Sequence, residues 1–149
     1  MDAAVLDRSE HLTLSVDAED VRTASAWLER QSCACGVPAD QIYRLDLCLN
    51  EALANIITHG RATVATEPVL LALRTQSGKE YVAVALTVSD AGRAYDPLTT
   101  SPQPAPLTLA KATPGGLGLT MLRHFSDDLS YSYHTGRNHL TITVRWSRS

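Results

Sequence analysis

Pro38-Ala39-Asp40-Gln41-Ile42-Tyr43-Arg44-Leu45-Asp46-Leu47-Cys48-Leu49-Asn50-Glu51-Ala52-Leu53-Ala54-Asn55-Ile56-Ile57-Thr58-His59-Gly60 opens on a proline followed by an acid, a strong helix start. Ile42, Leu45, Leu49, Ala52, Leu53 and Ile56 then form one apolar stripe, so the spacing predicts a long helix ending near Gly60. Glu51 and Asn55 stand four residues apart and project from one face, and His59 continues that line by a further turn.

On the N-terminal side, Leu12, Leu14 and Val16 alternate with Thr13 and Ser15, the period of a half-buried strand. Asp17 or Asp20 caps a first helix carrying Val21, Ala24, Trp27 and Leu28, which stops at Cys33 to Gly36. On the C-terminal side, Val69 to Leu73 and Tyr81 to Val88, separated by Ser77-Gly78-Lys79, read as a hairpin. From Pro97 to Pro114 five prolines stand among Ser, Thr and Ala, a loop of the long kind that is usually mobile and functional. Leu117 to Phe125 regains helical spacing. Leu129 to His134 and Leu140 to Trp146 form a second hairpin, turned by Thr135-Gly136-Arg137-Asn138. The order strand, helix, helix, hairpin, loop, helix, hairpin predicts an α+β two-layer sandwich, a mostly antiparallel mixed sheet with the helices packed on one face.

A chain of 149 residues fits one domain, 1–149, with a core from about Leu12 to Trp146. Apolar residues at 44% and charged residues at 19% are globular composition, and a net charge of -3 argues against a nucleic-acid partner. Met1 to Glu10 lacks the pattern of a leader, and no stretch approaches the ~20 apolar residues of a membrane span. A soluble, cytoplasmic protein is expected. Cys33, Cys35 and Cys48 lack the paired spacing of a zinc site and read as reduced structural thiols, with a redox role for Cys33 and Cys35 as the lesser alternative. His11, His124, His134 and His139 are scattered singly, as surface or core histidines are.

Three segments carry candidate chemistry. In the first, Glu51 is a carboxylate able to orient or deprotonate a nucleophile, and the Asn55 amide oxygen is a hard ligand suited to Mg²⁺; a solvated helix face is the plain alternative. In the second, Asp90 follows an apolar strand and can accept a hydrogen bond from an exocyclic amine such as adenine N6, while Gly92 lets a flat ring come close. An ordinary Asp-x-Gly turn is its alternative, and Asp96-Pro97 makes a turn at the mouth of the long loop. In the third, Gly115, Gly116, Leu117, Gly118 and Leu119 open a helix whose free N–H groups attract polyphosphate, although no Walker Lys-Ser or Lys-Thr follows. A flexible hinge would read the same way. Lys111 could add a phosphate contact or be merely solvated.

Taken in order, these segments resemble the N, G1 and G2 boxes of the histidine-kinase-like ATPases of the Bergerat (GHKL) fold, above all those of the anti-sigma-factor serine/threonine kinases. Glu51 and Asn55 match the N box, Asp90 and Gly92 the G1 box, and Gly116, Leu117 and Gly118 the G2 box; His59-Gly60 sits where that family often has a His. The resemblance implies ATP and Mg²⁺ as cofactors, with Asn55 holding the metal on the phosphates, Glu51 acting as base toward a partner's hydroxyl, and Asp90 reading adenine. It also implies that Leu98 to Pro114 is a mobile ATP lid, that Thr141 or Thr143 lies near the base, and that His59, Asp96 and the glycine segment from Gly115 to Leu119 join the nucleotide site. A sigma factor and an anti-sigma-factor antagonist protein are the implied partners, and a homodimer is the implied assembly, with the strand at Leu12 to Val16 as its candidate interface.

Two functional readings follow, besides a plain α+β domain with no nucleotide. One is an ATP-dependent protein kinase that phosphorylates the antagonist and sequesters the sigma factor, favoured by the intact Glu51. The other is a regulatory module that binds ATP and inhibits a partner without phosphoryl transfer, favoured by a lid with few charges to stabilise a transferring phosphoryl group. A full sensor histidine kinase is not expected, because a chain this short has no room for a phosphoacceptor helix hairpin.

Overall fold

The computed structural model describes residues 8–15, 18–64, 67–99 and 116–148, with the backbone alone at 18, 59–64 and 116–118. Alternating apolar residues produce strands β1 (Ser9–Leu14), β2 (Val69–Ser77), β3 (Tyr81–Asp90), β4 (Asp128–His134) and β5 (Arg137–Ser147). They form one sheet in the order β1-β2-β3-β5-β4. The sheet expected to be mostly antiparallel is antiparallel at every described pairing. Along β3, Val82, Val84, Leu86 and Val88 are buried while Ala83, Ala85 and Thr87 are only half-buried, so one face of the sheet carries the core.

Helices α1 (Ala18–Ala34), α2 (Ala39–Val64) and α3 (Gly116–Phe125) cover that face. Leu45, Leu49 and Leu53 of the α2 stripe are fully buried, and α2 packs over β3 and β5 at the centre of the sheet. Helix α1 ends in a Schellman cap. Gly36 takes a positive φ of 81°, and the N–H groups of Val37 and Gly36 donate to the carbonyls of Ser32 and Cys33. Asp127, between α3 and β4, accepts from Arg44 of α2 at 3.3 Å and from the Arg145 N–H of β5 at 2.6 Å, tying the two layers together. Burial pushes its carboxyl up, but those hydrogen bonds and the two arginine charges outweigh it and hold the group below its ordinary range.

Several boundaries differ from expectation for local reasons. Strand β1 begins at Ser9, earlier than the alternation suggests, because β2 runs on to Ser77 and pairs Arg74 with Ser9; Val16, like Asp17, lies outside the described residues. Helix α2 passes Gly60 and continues to Val64, since an interior glycine costs only about 1 kcal/mol relative to alanine and does not by itself end a helix. The second hairpin turns in two residues, Thr135 and Gly136, both at positive φ, so Arg137 and Asn138 belong to β5. Among the described residues no helix is long and apolar enough to cross a membrane. All three cysteines are free thiols; Cys35 and Cys48 are buried and Cys33 is exposed. Burial pushes the Cys48 thiol up to about 11, against the nearby Arg44 charge and with that of Glu51, so it stays protonated as a packing group.

Candidate functional site

Strand β3 carries its alternation to its last residue, so Asp90 faces the same side as Val88, under α2 and opposite Asn138 of β5. Asp90 is 9% exposed. Its Oδ1 accepts the Gly92 N–H at 2.9 Å and Asn138 Nδ2 at 3.1 Å. Among the described residues both hydrogen bonds to this carboxylate fall on Oδ1, which leaves Oδ2 as an acceptor for a ligand.

Asn138 is 6% exposed and joins most of the site's backbone. Its amide nitrogen also donates to the carbonyls of Arg93 at 2.9 Å and Gly92 at 3.3 Å. Its amide oxygen accepts the Tyr95 N–H at 2.9 Å and the Tyr131 hydroxyl. Burial pushes the Tyr131 hydroxyl above its ordinary range, the neighbouring Asp96 and Asp90 charges adding to that against a backbone hydrogen bond at Tyr95, so the group stays a donor.

These residues wall an open pocket of about 500 Å³ counting its mouth. Helix α2 supplies Ala52, Asn55 and Ile56, the sheet supplies Val88, Asp90, Tyr131, Asn138 and Leu140, and the loop after β3 supplies Gly92, Arg93, Tyr95 and Pro97. A flat apolar wall facing one buried carboxylate suits a ring bearing an amine. Arg93 is the one cation among the described lining residues, and it stands exposed at the rim.

The structure therefore brings Asn55, Asp90 and Gly92 together. Glu51 stands one turn before Asn55, half-buried and outside the pocket lining. His59 lies on α2, with its side chain outside the described residues. Asp96 neighbours the pocket, but its Oδ1 accepts the Leu98 N–H at 2.8 Å and caps the 3₁₀ turn Pro97–Thr99, so its carboxylate serves the loop rather than the cavity. Gly116, Leu117 and Gly118 form the first turn of α3, where backbone N–H groups lack helical partners. Leu119 is buried at 3% exposure, so only its main chain is available to a ligand. Gly115, Lys111 and the lid from residue 100 onward lie outside the described residues.

The expectation for Thr141 and Thr143 is corrected. Both alternate out of phase with Leu140 and Ile142 and so stand on the opposite face of the sheet; Thr141 Oγ1 is 2.9 Å from Thr87 Oγ1 there. The polar residue of β5 that reaches the pocket, beside Leu140, is Asn138, which the sequence reading placed in the turn. The positive-φ pair Thr135-Gly136 was the signal that could have shortened the turn. Tyr95, Tyr131 and Arg93 had no motif to mark them.

Among the described residues no group of three or more His, Cys, Asp or Glu side chains is placed to hold a metal. Asn55, whose amide oxygen is a hard donor, lines the pocket and is a residue that could hold Mg²⁺ there.

Comparison with known proteins identifies the family. The histidine kinase-like ATPase domain matches residues 14–146, and the chain belongs to that family. It is 38% identical over 136 residues to the serine/threonine-protein kinase BtrW of Bordetella bronchiseptica, covering 91% of this chain and 93% of that protein. Its fold is similar to the RsbU and RsbW domains of Rv1364c from Mycobacterium tuberculosis, with a TM-score of 0.67 at 20% identity, over 95% of this chain and 33% of that one. It also resembles a chain of the SiaB-SiaC complex from Pseudomonas aeruginosa, with a TM-score of 0.52 at 12% identity, over 92% of this chain and 89% of that one.

Proposed function

We propose that this protein is an ATP-binding anti-sigma regulatory factor that phosphorylates a serine or threonine of an antagonist protein and sequesters a sigma factor. The observation that carries the reading is the shared pocket in which Asn55 of α2 faces Asp90 and Gly92 at the end of β3. In it Asp90 accepts from the adenine amine, Gly92 lets the ring lie close, Asn55 supplies an oxygen to Mg²⁺, and the first turn of α3 faces the phosphates. Mg²⁺, when bound, neutralises charge on the phosphate oxygens.

Glu51 is the proposed base. It takes the proton of the partner's hydroxyl as that oxygen bonds to the γ-phosphorus; the bond from the γ-phosphorus to its bridging oxygen breaks, and ADP leaves with the electron pair. The kinase name of the 38% identical BtrW supports transfer, and the RsbW and SiaB-SiaC likenesses support a protein partner. The protein is further proposed to be cytoplasmic and to work as a homodimer, with β1 at the sheet edge as the candidate interface.

A second reading, binding without phosphoryl transfer, is favoured by the position of Glu51 outside the pocket lining. Mass measurement of candidate antagonist proteins after incubation with Mg-ATP separates the two. The kinase reading expects a gain of one phosphate that is lost with Glu51→Ala; nucleotide binding with no added phosphate on any candidate would favour the second.

A further inference from the structure

The proposed base reader does not stand alone. Asp90 is the last residue of β3 and is followed by a loop, so its own strand fixes its backbone on one side only. Two groups hold the carboxylate: the Gly92 N–H of its own loop and, from outside that loop, Asn138, which enters from β5 and contacts both Asp90 and the loop that closes the pocket. The two N–H donors of the Asn138 amide are shared among Asp90 Oδ1 and the carbonyls of Gly92 and Arg93. Its oxygen accepts from Tyr95 N–H and Tyr131 O–H. The two ends are chemically opposite, so the amide cannot flip without setting its oxygen against three acceptors and its NH₂ against two donors. Its orientation is thereby fixed, and with the Gly92 N–H it keeps Asp90 Oδ1 occupied, which leaves Oδ2 as the acceptor in a residue that lines the pocket.

We propose that Asn138 is a positioning residue that sets base selectivity, by holding Asp90 as a one-oxygen acceptor for the ring-borne amine of an adenine nucleotide. This rests on the nucleotide reading given above. An acceptor held in one direction rewards a base that donates there and repels one that presents a carbonyl at the same position. Hypoxanthine differs from adenine in that way, carrying an oxygen where adenine carries the amine. A carboxylate released from Asn138 keeps only the Gly92 N–H of its own loop and can turn with that loop, and discrimination falls even where the pocket still admits the ring.

The test is calorimetric titration of the full chain with Mg-ADP and Mg-IDP, in the wild type, Asn138→Ala and Asn138→Leu. The leucine variant is near in size and adds no charge beside Asp90, but has no donor for it. The wild type is expected to prefer ADP by roughly tenfold or more, the worth of one hydrogen bond to a charged acceptor. Both variants are expected to lose most of that preference through weaker ADP binding, with IDP affinity changed by less than about threefold. General damage to the pocket would weaken both nucleotides together, and a preference preserved in the variants overturns the positioning role. A wild type that binds ADP and IDP equally removes the base-reading role of Asp90 and this inference with it, whereas a wild type that binds neither refutes the nucleotide reading itself. Where Asn138→Ala does not fold, Asn138→Leu decides.

Discussion

Single residues in this protein are fixed by different forces. Cys48 is held protonated by burial, Asn138 by the complementarity of its two amide faces, and Thr135 by the turn it occupies. Thr135 has a φ of 54°, in the left-handed region where a β-branched residue is strained, and its hydroxyl donates to the His134 carbonyl at 2.6 Å. Asparagine tolerates that conformation far better. Thr135→Asn is expected to stabilise the protein by up to about 1 kcal/mol, which for a chain of this length raises the melting temperature by about 2–4 °C. Differential scanning calorimetry checks this, and a lowered midpoint would mean that the Thr135 hydroxyl matters more than its backbone strain. The same turn explains why the candidate site was only partly legible in the sequence. Asn55, Asp90 and Gly92 carry spacing and strand-end signals, whereas Asn138 acts through a long-range pairing with Asp90 that no local pattern encodes.

At the scale of elements, β4 and β5 present a second chemical feature on the face of the sheet away from the helices. The rings of His134 and His139 stack at 4.0 Å with an interplanar angle of 11°. Burial lowers the His139 pKa from its ordinary 6.5; the nearby His134 and Arg137 charges lower it further, while a backbone hydrogen bond at His134 and the Asp90 charge oppose them. The folded chain therefore favours neutral His139. Its contribution to stability is present above the unfolded value near 6.5 and is lost as pH falls from there through the lowered folded value. Melting temperatures measured between about pH 7 and pH 5 are expected to drop more steeply for the wild type than for His139→Gln; parallel profiles would contradict the assignment. The strands and helices themselves were readable because their periods are strong. The apolar stripe of α2 and the alternation of β3 each mark, in the order of residues alone, the face that is buried. Element ends were less readable, since Gly60 stands inside α2 and the start of β1 depends on how far β2 extends.

At the scale of the whole molecule, the antiparallel order β1-β2-β3-β5-β4 places the end of β3 beside the start of β5, and α2 crosses above both. That crossing brings two segments far apart in the chain, the one with Asn55 and the one with Asp90 and Gly92, to a single pocket. The order of elements was legible because each has its own period; the β3-β5 pairing was not, because it joins strands separated by a long loop and a helix. The central proposal for the molecule is that this pocket holds a magnesium-nucleotide complex through Asn55 and Asp90. The most direct test is the melting temperature of the wild type and of Asn55→Ala, each with ADP in the presence and absence of Mg²⁺. At nucleotide concentrations about a hundredfold above the dissociation constant, linkage adds about 2.7 kcal/mol of stability. That proposal predicts a magnesium-dependent rise of that order in the wild type, largely lost in Asn55→Ala; melting curves for the wild type unchanged by Mg-ADP would contradict it.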